Sequence, residues 1–287
     1  MFGWEFPPHI AGGLGTACYG MTKGLAYNDV DVLFVMPSAS GDEDESAVKI
    51  INASDVAIDT VSETVDEFLG KVQFVHIGTN MVPYVDPRDF TTMVEEERKR
   101  QIKGFRVQYG QKYKFSGKYG ANLMEGVARY AVVAAEVARQ LEGQFDVIHA
   151  HDWLTYEAGV LAKKKYKIPL IAHVHATEYD RAGMHYGNPL IHEVEREGLM
   201  LADEIIAVSE TTKRIVHEKY HIPLSKITVV YNSLDENYEN KAYQFDNNAY
   251  NYLGSLKSAG YTVVSTVGRF TVQKGLHNLM RAAAMAL

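Results

Sequence analysis

A chain of 287 residues, 46% of them hydrophobic, is long enough for about two domains and apolar enough to bury a sizeable core. A net charge of −7 argues against bulk binding to nucleic acid or to a membrane surface, since either calls for a basic face, so any positive charge that matters has to be local. One cysteine, Cys18, excludes a disulfide framework and fits a reducing, cytoplasmic compartment, and neither a signal peptide nor an apolar run long enough to span a bilayer is visible.

Taken in chain order, apolar runs at 1–6, 32–36, 72–77, 145–149, 170–174, 204–208 and 227–231 predict strands, most of them separated by helical patterns. Near-continuous apolar strands alternating with helices indicate an α/β chain: a Rossmann-like parallel sheet covered by helices on both faces. Cys18 falls inside a helical pattern and reads as a packing residue. The helix at 122–142 has the clearest period, with Leu123, Val127, Ala131, Ala134, Ala138 and Leu141 on one side and Glu125, Arg129, Glu136 and Arg139 on the other, and Gly143 as its stop. Asn188-Pro189 and Ser209 supply N-cap chemistry for two later helices. The acidic stretch 38–46 and the charged stretch 94–117 read as solvated excursions. Residues 235–260, rich in Asn and Tyr, carry no strand period and read as a linker between a first domain at 1–234 and a second that opens at 261. There, 262–267 predicts a buried strand, Gly268 a tight exit and 274–287 a helix, the first βα unit of an incomplete Rossmann-like domain.

Several clusters can carry chemistry. Gly12-Gly13-Leu14-Gly15 joins the first strand to a helix, where exposed N–H groups at a positive helix end suit a phosphate or a developing anion; a plain tight turn is the alternative. The spacing is not the dinucleotide fingerprint. His149 and His151 end one strand and His173 and His175 the next; residues two apart in extended backbone face the same way, at the strand ends where ligands bind in such sheets. Packed, hydrogen-bonded histidines are the bland reading. Two His-x-His pairs also admit a metal-dependent hydrolase. Glu178 and Arg181 could meet sugar hydroxyls, and Asn232 either contacts a ligand or closes an Asx turn. Arg269 at a strand end and Lys274 at a helix start form a ready phosphate clamp, since Lys at that end opposes the helix dipole unless an anion is bound. Ser209 reads as a cap rather than a nucleophile, with no Gly-x-Ser-x-Gly elbow in support.

Glu5 through the Gly12-Gly13-Leu14 loop, His149-Ala-His151-Asp152-Trp153, His175, Asn232-Ser-Leu-Asp235 and Gly268-Arg269-Phe270 with Gln273-Lys274-Gly275-Leu276 occur in the order of, and together resemble, the motifs of retaining glycosyltransferases of the glycogen and starch synthase type. The resemblance implies two Rossmann-like lobes (the GT-B fold) and transfer of a glucosyl unit from ADP-glucose or UDP-glucose to an α-glucan or related saccharide, with no metal, no cofactor and no nucleic-acid partner. It implies catalytic roles for His151, Arg269 and Lys274, donor or phosphate contacts from Gly12, Gly13, Asn232, Arg269 and Lys274, and acceptor-side roles for Glu5, His175 and Glu178. Two positions depart from the pattern: Ile10 stands where the bacterial enzymes have Lys, and Ser233 where Gly is usual. The resemblance further implies that family members continue past residue 287 with a pair of donor-binding glutamates, so the isolated chain is expected to be inactive. Another retaining glycosyltransferase, of cell-surface or small-glycoside synthesis, is the nearest alternative.

Overall fold

The computed structural model describes residues 1–10, 12–58, 112–115, 123–183, 187–233, 248–268 and 272–286; the strand expected at 72–77 and most of the charged 94–117 stretch lie outside these. The chain divides into two compact units, Met1–Asn232 and Ser233–Leu287.

Among the described residues of the first unit are six short strands; five overlap the predicted apolar runs, and the one at Lys49–Asn52 was not foreseen. They are β1 (Leu33–Met36), β2 (Lys49–Asn52), β3 (Ile148–His151), β4 (Leu170–Val174), β5 (Glu204–Ala207) and β6 (Ile227–Val229). All pairings are parallel, β1 with β2 and β3 through β6 in sequence. The segment expected as the first strand is reduced to a single bridging residue. Phe2 pairs in parallel with Val35 on one side and Ala150 on the other, its N–H donating to the His149 carbonyl at 2.7 Å and its carbonyl accepting from His151 N–H at 3.1 Å. It thereby joins the two sheets, and in chain order the strands lie 3-2-1-4-5-6 with β6 as a seventh, the doubly wound Rossmann order. Chain order reverses between the Phe2 segment and β3. Loops leaving the two neighbours diverge there, opening the crevice where such sheets take ligands.

Helices cover both faces because successive strand residues point to opposite sides. From β1, Phe34 and Met36 pack with Phe6 and with Cys18 of α1 (Gly13–Ala26), whereas Val35 joins the larger core around α2 (Leu123–Gln140). Gly3 is obligatory beneath this strand, since a Cβ there would lie 2.1 Å from Phe34 Cζ. The apolar side of α2 is buried as its period predicts, but Glu136 is not on a solvated face. It is buried, held at 2.7 Å by Arg139 and by the Gln140 amide, because α2 packs on several sides at once and its polar residues must find partners there. Tyr130 from the same helix donates to the Val35 carbonyl at 2.7 Å. The remaining helices are α3 (Trp153–Tyr166), the single turn α4 (Glu178–Arg181), α5 (Pro189–Leu201) and α6 (Glu210–Tyr220). The expected caps are in place: Asn188 Oδ1 accepts from Leu190 N–H at 2.9 Å and Ser209 Oγ from Thr212 N–H at 3.0 Å.

The second unit departs from expectation twice. The stretch read as a linker contains α7 (Asn248–Ser258), closed by Gly260 at φ +88 with Gly260 N–H on the Lys257 carbonyl and Tyr261 N–H on the Leu256 carbonyl, a Schellman ending that the Tyr- and Asn-rich composition hid. Residues 262–267 are exposed and, among the described residues, pair with no strand; a strand needs a neighbour for its N–H and C=O groups, and β-branched composition does not supply one. Lys274 ends a short 3-10 turn (Val272–Lys274), Gly275 follows at φ +64, and α8 (Leu276–Ala286) begins after both. No helix among the described residues is long and apolar enough to cross a membrane.

Close packing of α3 on the sheet generates a prediction. A Cβ at Gly159 would lie 2.7 Å from Leu170 Cδ1 and 3.0 Å from Ala150 Cβ. Gly159→Val therefore forces β3 and β4 to give way, and a loss of about 1–3 kcal/mol is expected, read as a lower urea midpoint at unchanged slope.

Candidate functional site

Parallel pairing sets His151 of β3 opposite His173 of β4. The His-x-His period then brings four imidazoles into one array, with His175 contributed by the residue just after β4. Within each strand the rings stack, His149 on His151 with centroids 4.4 Å apart and His173 on His175 at 4.3 Å. Across the strands they meet edge to edge through nitrogen: His149 Nε2 lies 3.2 Å from His173 Nδ1, and His151 Nδ1 lies 3.0 Å from His175 Nε2. Each pair can share a proton as donor and acceptor so long as both rings are not charged at once. Burial secures that, holding His149 down at about 3, His173 at about 2, His151 well below the ordinary range and His175 also low. Two ring atoms, His151 Nε2 and His173 Nε2, are buried without a hydrogen-bond partner among the described residues.

The supports are specific. Thr155 Oγ1 donates to the His151 carbonyl at 2.8 Å and Tyr156 OH to the His173 carbonyl at 3.1 Å, so α3 holds the last carbonyl of β3 and the penultimate one of β4. Between β3 and α3 stands Asp152, buried and at φ +58, ψ 172, a region almost reserved for glycine that costs a side-chain-bearing residue on the order of 1–3 kcal/mol. Its N–H donates to the His173 carbonyl at 2.9 Å and its Oδ1 accepts from His175 N–H at 2.7 Å, which fixes the backbone that carries the His175 ring. The sequence motif contained Asp152, but nothing in spacing alone marked it as the tether.

The glycine loop opens α1, the helix whose Cys18 lies beside His151 and His175. Gly12 and Gly13 open α1 with no side-chain cap and with nothing within 4 Å of where a Cβ would stand, so a ligand has room to approach the backbone. Gly15 is a packing glycine instead, a Cβ there meeting Ile10 Cγ2 at 2.4 Å. Glu5 is buried, and its Oε1 accepts from Gly15 N–H at 3.1 Å, so one oxygen of the residue expected on the acceptor side is committed to the first turn of α1. Cys18, one turn further on, is buried as expected, its thiol pushed up by burial, and it lies beside His151 and His175.

The other expected residues are distributed less tightly. Glu178 is buried within α4; its carboxylate pairs with Arg181 Nε at 3.0 Å and accepts from Asn188 N–H at 2.8 Å. Arg181 also pairs with buried Glu195, which accepts from Tyr220 OH and from Glu178 N–H, and burial raises the Glu195 carboxyl to about 7. Glu178 and Arg181, read from sequence as sugar contacts, thus spend their polar atoms on one another and on an unforeseen partner. Asn232 is exposed beyond β6, three strand intervals or about 14 Å from β3 across the sheet. Lys274 is exposed in the second unit, its stem lying 3.9 Å from where a Gly268 Cβ would be, and Arg269 falls outside the described residues.

Comparisons with known proteins agree with this geometry. Residues 96–238 match the model of Glycosyltransferase Family 4. Over 98% of its length the chain is 26% identical to an uncharacterized glycosyltransferase of Methanocaldococcus jannaschii and 23% identical to a glycogen synthase of Mycobacterium tuberculosis, covering 58% and 56% of those proteins. Over 55% of its length it is 28% identical to a D-inositol 3-phosphate glycosyltransferase of Nocardia farcinica, covering 35% of that protein. The chain thus spans a little over half the length of the full-coverage relatives. These matches are to glycosyltransferases, and together with the sheet order they support that reading over the metal hydrolase.

Two outcomes follow from the buried charges. Because the unfolded histidines take up protons near 6.5 while His149 and His173 refuse them down to about 3 and about 2, stability is full above pH 6.5 and is lost as pH falls below it. Each such histidine contributes a slope of up to about 1.4 kcal/mol per pH unit, so urea midpoints are expected to drop steadily between pH 6.5 and 4.5. Arg181→Met leaves Glu178 and Glu195 buried without their cation, and a loss of about 3–5 kcal/mol at pH 7.5 is expected in the same assay.

Proposed function

We propose that this chain is the acceptor-side lobe, with the opening of the donor lobe, of a retaining hexosyltransferase that moves a glucosyl unit from a nucleotide diphosphate sugar to a saccharide, an α-glucan being the favoured acceptor. The observation that carries the reading is an uncapped glycine loop opening the helix whose Cys18 lies against a neutral imidazole array, at the point where strand order reverses. Uncharged rings can hydrogen-bond sugar hydroxyls without placing a cation beside a sugar carbon that itself becomes positive as the donor ionises, and the open backbone at Gly12 and Gly13 suits the departing diphosphate. In this scheme His151 contacts the donor sugar, His175 orients it, and Arg269 and Lys274 hold the diphosphate. Glu5 shapes the loop through Gly15 rather than binding acceptor with both oxygens.

A second acceptor class has support of its own, since the relatives named D-inositol 3-phosphate glycosyltransferases act on a small phosphorylated acceptor. The deciding experiment measures transfer of labelled glucose from ADP-glucose and from UDP-glucose by the full-length protein, to glycogen in one arm and to D-inositol 3-phosphate in the other. Transfer to glycogen is expected, with His151→Ala, Arg269→Ala and Lys274→Ala each lowering kcat by about 10²–10³-fold. Transfer confined to the inositol phosphate moves the acceptor assignment, and wild-type rates in all three variants remove the site assignment.

A further inference from the structure

We infer that Cys18, His151 and His175 form a binding site for a borderline-soft divalent transition ion of the zinc type, one that draws on two imidazoles of the proposed transfer site. Three elements deliver the ligands: α1 the thiol, the end of β3 one imidazole, and the residue after β4 the other. Their ligand atoms all lie within 4.8 Å of one another. Around a tetrahedral zinc ion with Zn–N of about 2.0–2.1 Å, two nitrogens stand about 3.4 Å apart. His151 Nδ1 and His175 Nε2 are already at 3.0 Å, so a few tenths of an ångström and a turn of the rings admit an ion between them.

The second ring nitrogen of His151, Nε2, is buried with no hydrogen-bond partner among the described residues, so the His175 contact is the one ring hydrogen bond of His151 there that an ion displaces. A second group, His149, His151 and His173, offers an all-imidazole set on the other side of His151. Charge decides between the two. Three neutral imidazoles leave a buried ion at full charge, whereas a Cys18 thiolate cancels one unit, and the buried carboxylates of Glu5 and Asp152 lie close enough to act on that same sulfur. Binding releases the thiol proton to solvent, forms one metal–sulfur and two metal–nitrogen bonds, and leaves a fourth position open. No oxidation state changes.

Cobalt(II) chloride titrated into the purified, metal-stripped protein tests the site, because tetrahedral cobalt gives visible d–d bands and a cobalt thiolate gives a near-ultraviolet charge-transfer band. One equivalent with both signatures is expected, bleached by zinc. Cys18→Ser should abolish the charge-transfer band and weaken binding at least tenfold. His175→Asn, at a half-buried position, should weaken it comparably in a protein whose circular dichroism is unchanged, while His149→Gln should leave the bands in place. Absence of stoichiometric binding by the wild type overturns the inference, as does a spectrum indifferent to Cys18→Ser or one lost with His149→Gln. On the transferase reading of the same crevice an ion here takes His151 away from the sugar, so zinc inhibits transfer; the cobalt spectra stand whether or not that reading does.

Discussion

The parallel register of β3 on β4 is the constraint from which the rest of the site descends. It aligns His151 with His173, and because side chains in extended backbone repeat every second residue, it also stacks their neighbours into a two-by-two imidazole array. A slip of one residue on either strand would turn one histidine pair toward the opposite face of the sheet. The register is held from both sides, by the Phe2 bridge on the β3 flank and by β5 on the β4 flank, and from above by Thr155 and Tyr156 of α3. The packing that stabilises the lobe and the geometry of the crevice are therefore one set of interactions.

Around that array, burial does the electrostatic sorting. The four imidazoles are kept neutral, His175 even with the Asp152 carboxylate close by, while of the buried carboxylates Glu136, Glu178 and Glu195 lie against arginines and Glu5 and Asp152 accept from backbone N–H groups. The result is a crevice floor without net positive charge of its own. Such a floor suits polar, uncharged hydroxyls, and it leaves the cations needed for a diphosphate to be supplied by Arg269 and Lys274 on the proposed reading.

What the sequence made legible follows the same physics. β4 and β5 are short runs of mostly apolar residues, largely buried, and α2 has a sustained helical period, so each is marked by its own residues. The segment 262–267 has equally strand-like composition and is exposed without a ladder partner, because pairing belongs to the neighbour as much as to the residues themselves. Glu5, Glu136 and Glu178 were misjudged for a related reason. A carboxylate's fate depends on which donor the fold carries to it, Gly15 N–H, Arg139 or Arg181, and none of those encounters except the local Glu136–Arg139 and Glu178–Arg181 spacings is written nearby in the chain. The His-x-His pairs were legible as strand-end residues, but their joining into one array needed the register. Glu195 and the tethering role of Asp152 gave no sequence signal at all.

Asp152 closes β3, opens α3 and grips the backbone beyond β4, all from a conformation that glycine would adopt with less strain. Glycine, having no carboxylate, would leave the two loops free to drift apart. Retaining the strained residue ties them into a single mechanical part, so that a displacement of one loop is resisted by the other.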